Sequence, residues 1–172
     1  DVPPYGSMLT PREIANVGGD TEFANTYAAY DDLPEADKKL VERLMVEHRV
    51  EGPIRRQTKD PTPEQLAAWN LKAPKIHPMV WRHRSGRKSL VLGGTAWKVV
   101  GMSEAESDAL LKRLMAWSVK PEYVYRHRWR MGDLVMWDNS GTMHRAMPFD
   151  MESGRRLHRV TLEGEEPIAA AA

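Results

Sequence analysis

Residues 129–162 read WRMGDLVMWDNSGTMHRAMPFDMESGRRLHRVTL. The stretch decides the fold. It holds a strand pattern at 134–137, the tight polar turn Asp138-Asn139-Ser140-Gly141, a histidine (His144) at the turn's exit, and a final strand at 158–162. Arg155, Arg156 and Arg159 make that return basic. A histidine beside a basic strand can hold a metal and an anion side by side. Spacing alone leaves two readings of His144 open, a metal ligand on a rigid strand end or a turn-capping histidine. One histidine makes no site, which favours the cap. In an extended strand Arg155, Leu157 and Arg159 share a face, so the two arginines lie about 13 Å apart and could bracket a small dianion. The competing reading is a solvated basic edge strand.

Moving outward, residues 123–129 alternate as a strand, with Arg126, Arg128 and Arg130 on one face and Tyr125, His127 and Trp129 on the other. Basic residues interleaved with aromatics raise nucleic-acid contact. An amphipathic strand explains them more simply, and a net charge of +1 gives no wider basic footprint. Upstream, Ser103 with Glu106 forms a capping box for a helix whose buried face is Leu110, Leu111, Leu114 and Trp117. Residues 79–84 and 88–92 form a hairpin around Ser85-Gly86, and its basic side chains read as a solvated tip. Asp32 with Glu35 opens a helix expected to run to about residue 47, and Thr62 with Gln65 opens a short one ending near Asn70. Residues 48–61 and 72–78 read as loops, the second holding His77. A strand is expected at 7–14, before the turn Gly18-Gly19. The tail EGEEPIAAAA is expected to fray. Turns and hairpins outnumber helical crossovers, so a mainly β sandwich or jelly roll with flanking helices is expected, not a βαβ fold.

The 172 residues suffice for one domain, and no apolar run approaches the roughly 20 residues of a bilayer span. The chain has no cysteine, which removes disulfides and thiolate metal sites and fits a reducing, cytoplasmic setting. No signal peptide is visible, but the opening DVPPYGSML reads as the start of a trimmed or partly represented protein. No zincin histidine pair, nucleophile elbow or phosphate-binding glycine loop is present.

Taken as motifs, WRMGDLVMWDNSGTMHRA followed by GRRLHRVTLEG resembles the C-terminal signature of the taurine dioxygenase and 2,4-dichlorophenoxyacetate dioxygenase (TauD/TfdA) family. The likeness continues through VGGDTEFANTYAAYDDLP, WRHRSGRKSLVLGG and VVGMSEAESDALL, and is weakest at 49–75. It implies a double-stranded β-helix, a cupin-like jelly roll, over a single domain spanning 1–172. It implies iron(II) held by a His-x-Asp…His triad, 2-oxoglutarate as cosubstrate, and dioxygen. By motif match His144 resembles the distal iron ligand. Arg155 and Thr21 resemble the residues that hold the far carboxylate of 2-oxoglutarate. Arg159 resembles a pocket arginine that meets an anionic substrate or cosubstrate, and Trp137 a tryptophan lining the iron pocket. The His-x-Asp pair is expected ahead of Asp1, outside this chain. Ser140-Gly141 stands where relatives carry bulkier residues, which implies a wider pocket mouth.

The expected function is hydroxylation of a small anionic substrate, with 2-oxoglutarate and dioxygen converted to succinate and carbon dioxide. The alternatives are desaturation or another oxidative biosynthetic step at the same iron, or a non-catalytic jelly-roll binding module. The expected partner is a small-molecule anion, with no nucleic acid or membrane, in a homo-oligomer.

Overall fold

Strand β1 (Gly6–Glu13) runs down the middle of a three-stranded antiparallel sheet between β9 (Val135–Asp138) and β11 (Arg156–Leu162). In the computed structural model, which describes residues 2–51, 60–69, 71 and 73–169, a second antiparallel sheet has β2 (Thr21–Asn25) between β8 (Val124–His127) and β10 (Thr142–Ala146). Alternation decides which face of each sheet looks inward. Ser7 pairs with Trp137 and Leu9 with Arg159, which puts Ser7, Trp137 and Arg159 on one face of the first sheet. Phe23 pairs with both His144 and Tyr125 on one face of the second. The Phe23 and Trp137 rings meet at 5.1 Å, so these two faces are apposed. The opposite face of the second sheet carries Glu22 between Arg126 and Arg145, a cross-strand charge triplet.

The apolar core lies to one side of this sandwich. A third sheet of β3 (Met45–His48), β4 (Lys75–Pro78) and β7 (Ala96–Val99) packs with the hairpin β5 (Val80–Arg82) and β6 (Lys88–Leu90). Helices α1 (Thr26–Asp31), α2 (Glu35–Val41) and α4 (Glu104–Ser118) cover them, and α3 (Pro63–Trp69) is a short separate turn of helix. Val41, Val46, Met79, Val99 and Leu114 are fully buried there. Two apposed antiparallel sheets with helices flanking them make the jelly roll that the sequence implies.

The capping box of α4 is present, with Ser103 and Glu106 bonded reciprocally, and Thr62 and Gln65 bond likewise at α3. Several local expectations fail. The helix expected over 32–47 is only α2. Asp32 does not cap it, because Asp32 ends α1 and α2 begins after Pro34 with no side-chain cap; Asn25 caps α1 through hydrogen bonds from the Tyr27 and Ala28 amides. Residues 45–48 join the third sheet, and 75–78, expected as a loop, is its edge strand. The hairpin tip is exposed over residues 84–87, as expected, but the side chains around it are also engaged. His83 is buried and bonds Ser89 at 2.8 Å, Arg87 reaches Asp31, and Lys88 reaches Glu42. The tail docks on that hairpin, with the Arg82 amide bonded to the Ala169 carbonyl and the Arg84 amide to Glu166. The polar loop at 48–61, the end of α3 at Asn70, Lys72 and the last three alanines lie wholly or partly outside the described residues. No helix among the described residues is long and apolar enough to cross a membrane.

Candidate functional site

The inward faces of the two sheets bring four of the five expected site residues into two groups, and a fifth joins from the start of the last strand. Thr21 opens β2 and is buried. Its hydroxyl oxygen accepts a hydrogen bond from the indole Nε1 of Trp129 at 3.0 Å, which leaves the hydroxyl proton free to donate. Arg155 stands just ahead of β11. Its Nε and Nη2 donate to the Gly19 carbonyl at 3.2 and 2.8 Å, and its guanidinium lies 4.6 Å from the Phe149 ring. No carboxylate pairs with Arg155 among the described residues, and burial lowers its pKa. Its remaining N–H groups can serve an anion.

The second group centres on His144. Its ring lies 4.8 Å from that of Trp137 and 6.3 Å from that of Phe23. By area His144 is exposed, yet these rings crowd it. Desolvation, with the Arg159 charge adding to it, pulls its pKa below the usual histidine range. A neutral imidazole is the form a metal binds. Arg159 lies 6.0 Å from the Trp137 ring and donates to Ser7 Oγ at 3.0 Å. Ser7 also receives Asn139 Nδ2 at 3.0 Å, and Asn139 Oδ1 receives Trp137 Nε1 at 2.8 Å.

The registers tie the groups together. Phe23 pairs with His144 and Thr21 with Ala146, so Thr21 and His144 are diagonal neighbours on one face. Such neighbours lie about 7–8 Å apart. Arg155 turns to Gly19 beside Thr21, and Arg159 turns to Ser7 beside Trp137.

A cleft of about 570 Å³ opens at the turn from β9 to β10, with Asn139, Ser140 and Thr142 on one side and Trp81, His48 and Thr95 on the other. Trp81 Nε1 and His48 Nε2 are buried there without a partner among the described residues. Ser140 lines this mouth, but Gly141 does not widen it. Gly141 is buried, and a Cβ on it would lie 1.8 Å from Tyr27 Cε2, so the Tyr27 ring fills that space.

Sequence reasoning passed over Trp129, Ser7 and Asn139 as site residues. The alternation at 123–129 does place Trp129 on the correct face, but its partner Thr21 is 108 positions away. Ser7 meets Asn139 across 132 positions, and no local spacing carries either pairing. Among the described residues no group of three or more His, Asp or Glu side chains could hold a metal ion, and His144 alone makes no metal site.

The family model described as "Taurine catabolism dioxygenase TauD, TfdA family" matches residues 1–161. An alpha-ketoglutarate-dependent 2,4-dichlorophenoxyacetate dioxygenase of Burkholderia sp. (strain RASC) is 40% identical over 159 residues, covering 92% of this chain and 53% of that protein. An alkylsulfatase of Acinetobacter baylyi is 37% identical over 176 residues, covering 99% of this chain and 56% of that protein. The crystal structure of AAD-2 in complex with Mn(II) and N-oxalylglycine superposes with a TM-score of 0.88 at 36% identity, over 98% of this chain and 66% of that one. The chain spans about half the length of the curated relatives it matches.

Proposed function

This chain belongs to the taurine catabolism dioxygenase TauD, TfdA family, and from that membership we propose that it carries the cosubstrate clamp and one iron ligand of an iron(II)- and 2-oxoglutarate-dependent dioxygenase. The protein containing it hydroxylates a small anionic organic substrate, and 2-oxoglutarate and dioxygen become succinate and carbon dioxide. The observation that carries this reading is the diagonal pairing of Thr21 with His144, beside an Arg155 that has no carboxylate partner among the described residues. A keto acid chelating a metal at His144 would extend its far carboxylate several ångströms, toward Thr21 and Arg155.

The roles follow from the donors. Arg155 offers paired N–H groups to the far carboxylate, and the Thr21 hydroxyl, held as an acceptor by Trp129, turns its proton to the same anion. His144 would supply a neutral imidazole nitrogen to the iron, as one ligand of a set that the described residues do not complete. Bound iron provides the activation of dioxygen that no side chain here can perform. Trp137 and Phe23 lie beside the imidazole and help fix its place. Arg159 is left to meet the substrate's anionic group. The 2,4-dichlorophenoxyacetate and alkylsulfate names of the relatives support an aryloxy acid or a sulfate ester as that substrate.

The test is turnover by the full-length protein with iron(II), 2-oxoglutarate and a panel of aryloxy acids, sulfate esters and sulfonates. Succinate should form in step with one oxidised substrate, and product analysis separates hydroxylation from desaturation. Absence of iron-dependent 2-oxoglutarate consumption with every member of the panel contradicts the reading.

A further inference from the structure

We infer that Ser7 and Asn139 are positioning residues that aim Arg159 at the substrate's anionic group. The inference rests on the reading of Arg159 given above and goes beyond it, to the residues through which that arginine is held. Ser7 sits on the central strand β1 and is fully buried, an unusual place for a hydroxyl without a job in hydrogen bonding.

The direction of each bond is fixed by its partners. Trp137 Nε1 can only donate, so the Asn139 atom 2.8 Å from it must be the amide oxygen. The Asn139 amide nitrogen therefore faces Ser7, at 3.0 Å, and Ser7 Oγ must accept from it. Arg159 Nη2, also 3.0 Å from Ser7 Oγ and also only a donor, takes the hydroxyl's other lone pair. A backbone bond from the Asn139 amide to the Tyr5 carbonyl at 2.8 Å anchors Asn139 to the strand that carries Ser7. One hydroxyl thus links β1 and β11 to the turn after β9 and leaves the rest of the guanidinium unpaired beside Trp137 and His144. Arg159 pairs with no carboxylate among the described residues, so Ser7 is what holds a long side chain in one orientation.

The experiment uses the full-length protein, with calorimetric binding of phenoxyacetate as the substrate-anion probe and of 2-oxoglutarate as the control. Ser7→Ala should weaken phenoxyacetate binding about tenfold, as loss of a bond to a charged group does, and leave 2-oxoglutarate binding within about twofold. In an Arg159→Ala background Ser7→Ala should add nothing, because its effect passes through Arg159. Thermal melting checks the fold. If Ser7→Ala does not fold, Asn139→Leu, which keeps the volume and removes the donor, should give the same pattern. Unchanged phenoxyacetate binding in Ser7→Ala, an equal loss for 2-oxoglutarate, or a full effect without Arg159 overturns the inference. If Arg159→Ala leaves phenoxyacetate binding intact, or the wild type does not bind it, the anion reading beneath the inference is what fails.

Discussion

The indole of Trp129, two residues past the end of β8, donates at 3.0 Å to the hydroxyl of Thr21, the first residue of β2, 108 positions earlier. The bond sets which way the Thr21 proton points. Trp129→Phe keeps the ring and removes the donor, so Thr21 can spend its proton elsewhere. A neutral hydrogen bond contributes about 0.5–1.5 kcal/mol, so 2-oxoglutarate should bind roughly 2- to 10-fold more weakly, with the fold intact. Equilibrium titration of the full-length protein measures it, and unchanged affinity would separate Trp129 from the cosubstrate.

Gly19 has φ +76°, and a Cβ there would lie 2.8 Å from Arg155 Nε. Alanine would be strained in the backbone and would push the guanidinium off the Gly19 carbonyl. Gly19→Ala should destabilise by about 1–3 kcal/mol. It should also weaken 2-oxoglutarate binding more than it weakens phenoxyacetate binding. Equal losses for the two ligands would mean that the strain, not the displaced arginine, is responsible.

Much of the sheet framework was legible because its signals are local. The hairpin at 80–90, the Ser103–Glu106 capping box and the strand before Asp138-Asn139-Ser140-Gly141 each depend on residues within a few positions of one another, whereas β10 (Thr142–Ala146) was not expected. The third sheet was not legible. Leu40, Val41, Leu44, Met45 and Val46 form one apolar run that fits a helix, yet α2 stops at Val41 and Val46 is buried as a strand residue between β4 and β7. Periodicity cannot divide such a run when tertiary pairing decides where the helix stops. The site divides in the same way. His144, Arg155, Arg159, Trp137 and Thr21 came from motif likeness, whereas Ser7, Asn139 and Trp129 needed the strand registers to bring them in.

Acid should unfold the protein in two stages. Burial, with a smaller contribution from the His77 charge, holds the His48 pKa at about 4, below the ordinary 6.5. The unfolded chain binds that proton first as pH falls, so stability is highest above about 6.5 and is lost down to about 4. At about 1.4 kcal/mol per pH unit, His48 alone accounts for roughly 2 kcal/mol between pH 7 and pH 5. Glu22, held below its ordinary range by hydrogen bonds from Arg126 and Arg145, adds its loss at lower pH, as pH falls through its own folded value. Urea unfolding at pH 7 and pH 5 measures the first stage, and His48→Gln should flatten it. An equally steep dependence in His48→Gln would assign the slope to other groups.

Gly141 lies against Tyr27, whose hydroxyl bonds Asp138 at 3.3 Å and whose ring meets that of His83 at a tilt, 4.8 Å between centroids. A methyl there has no room to settle, because Tyr27 is held from both sides. Gly141→Ala should cost about 1–3 kcal/mol as an overpacked core does, read as a lower thermal midpoint. A midpoint equal to wild type would show that the Tyr27 ring yields, and that the mouth of the cleft is softer than its contacts imply.

The central claim is that Arg155 clamps 2-oxoglutarate beside an iron held in part by His144. The most direct measurement is calorimetric titration of 2-oxoglutarate, with oxygen excluded, into the iron-loaded full-length protein and its Arg155→Ala variant. A charge-assisted clamp contributes about 1.5–3 kcal/mol, so the variant should bind roughly 10- to 100-fold more weakly while melting like wild type. Equal affinity in the two proteins, or no 2-oxoglutarate binding by the wild type, would contradict it.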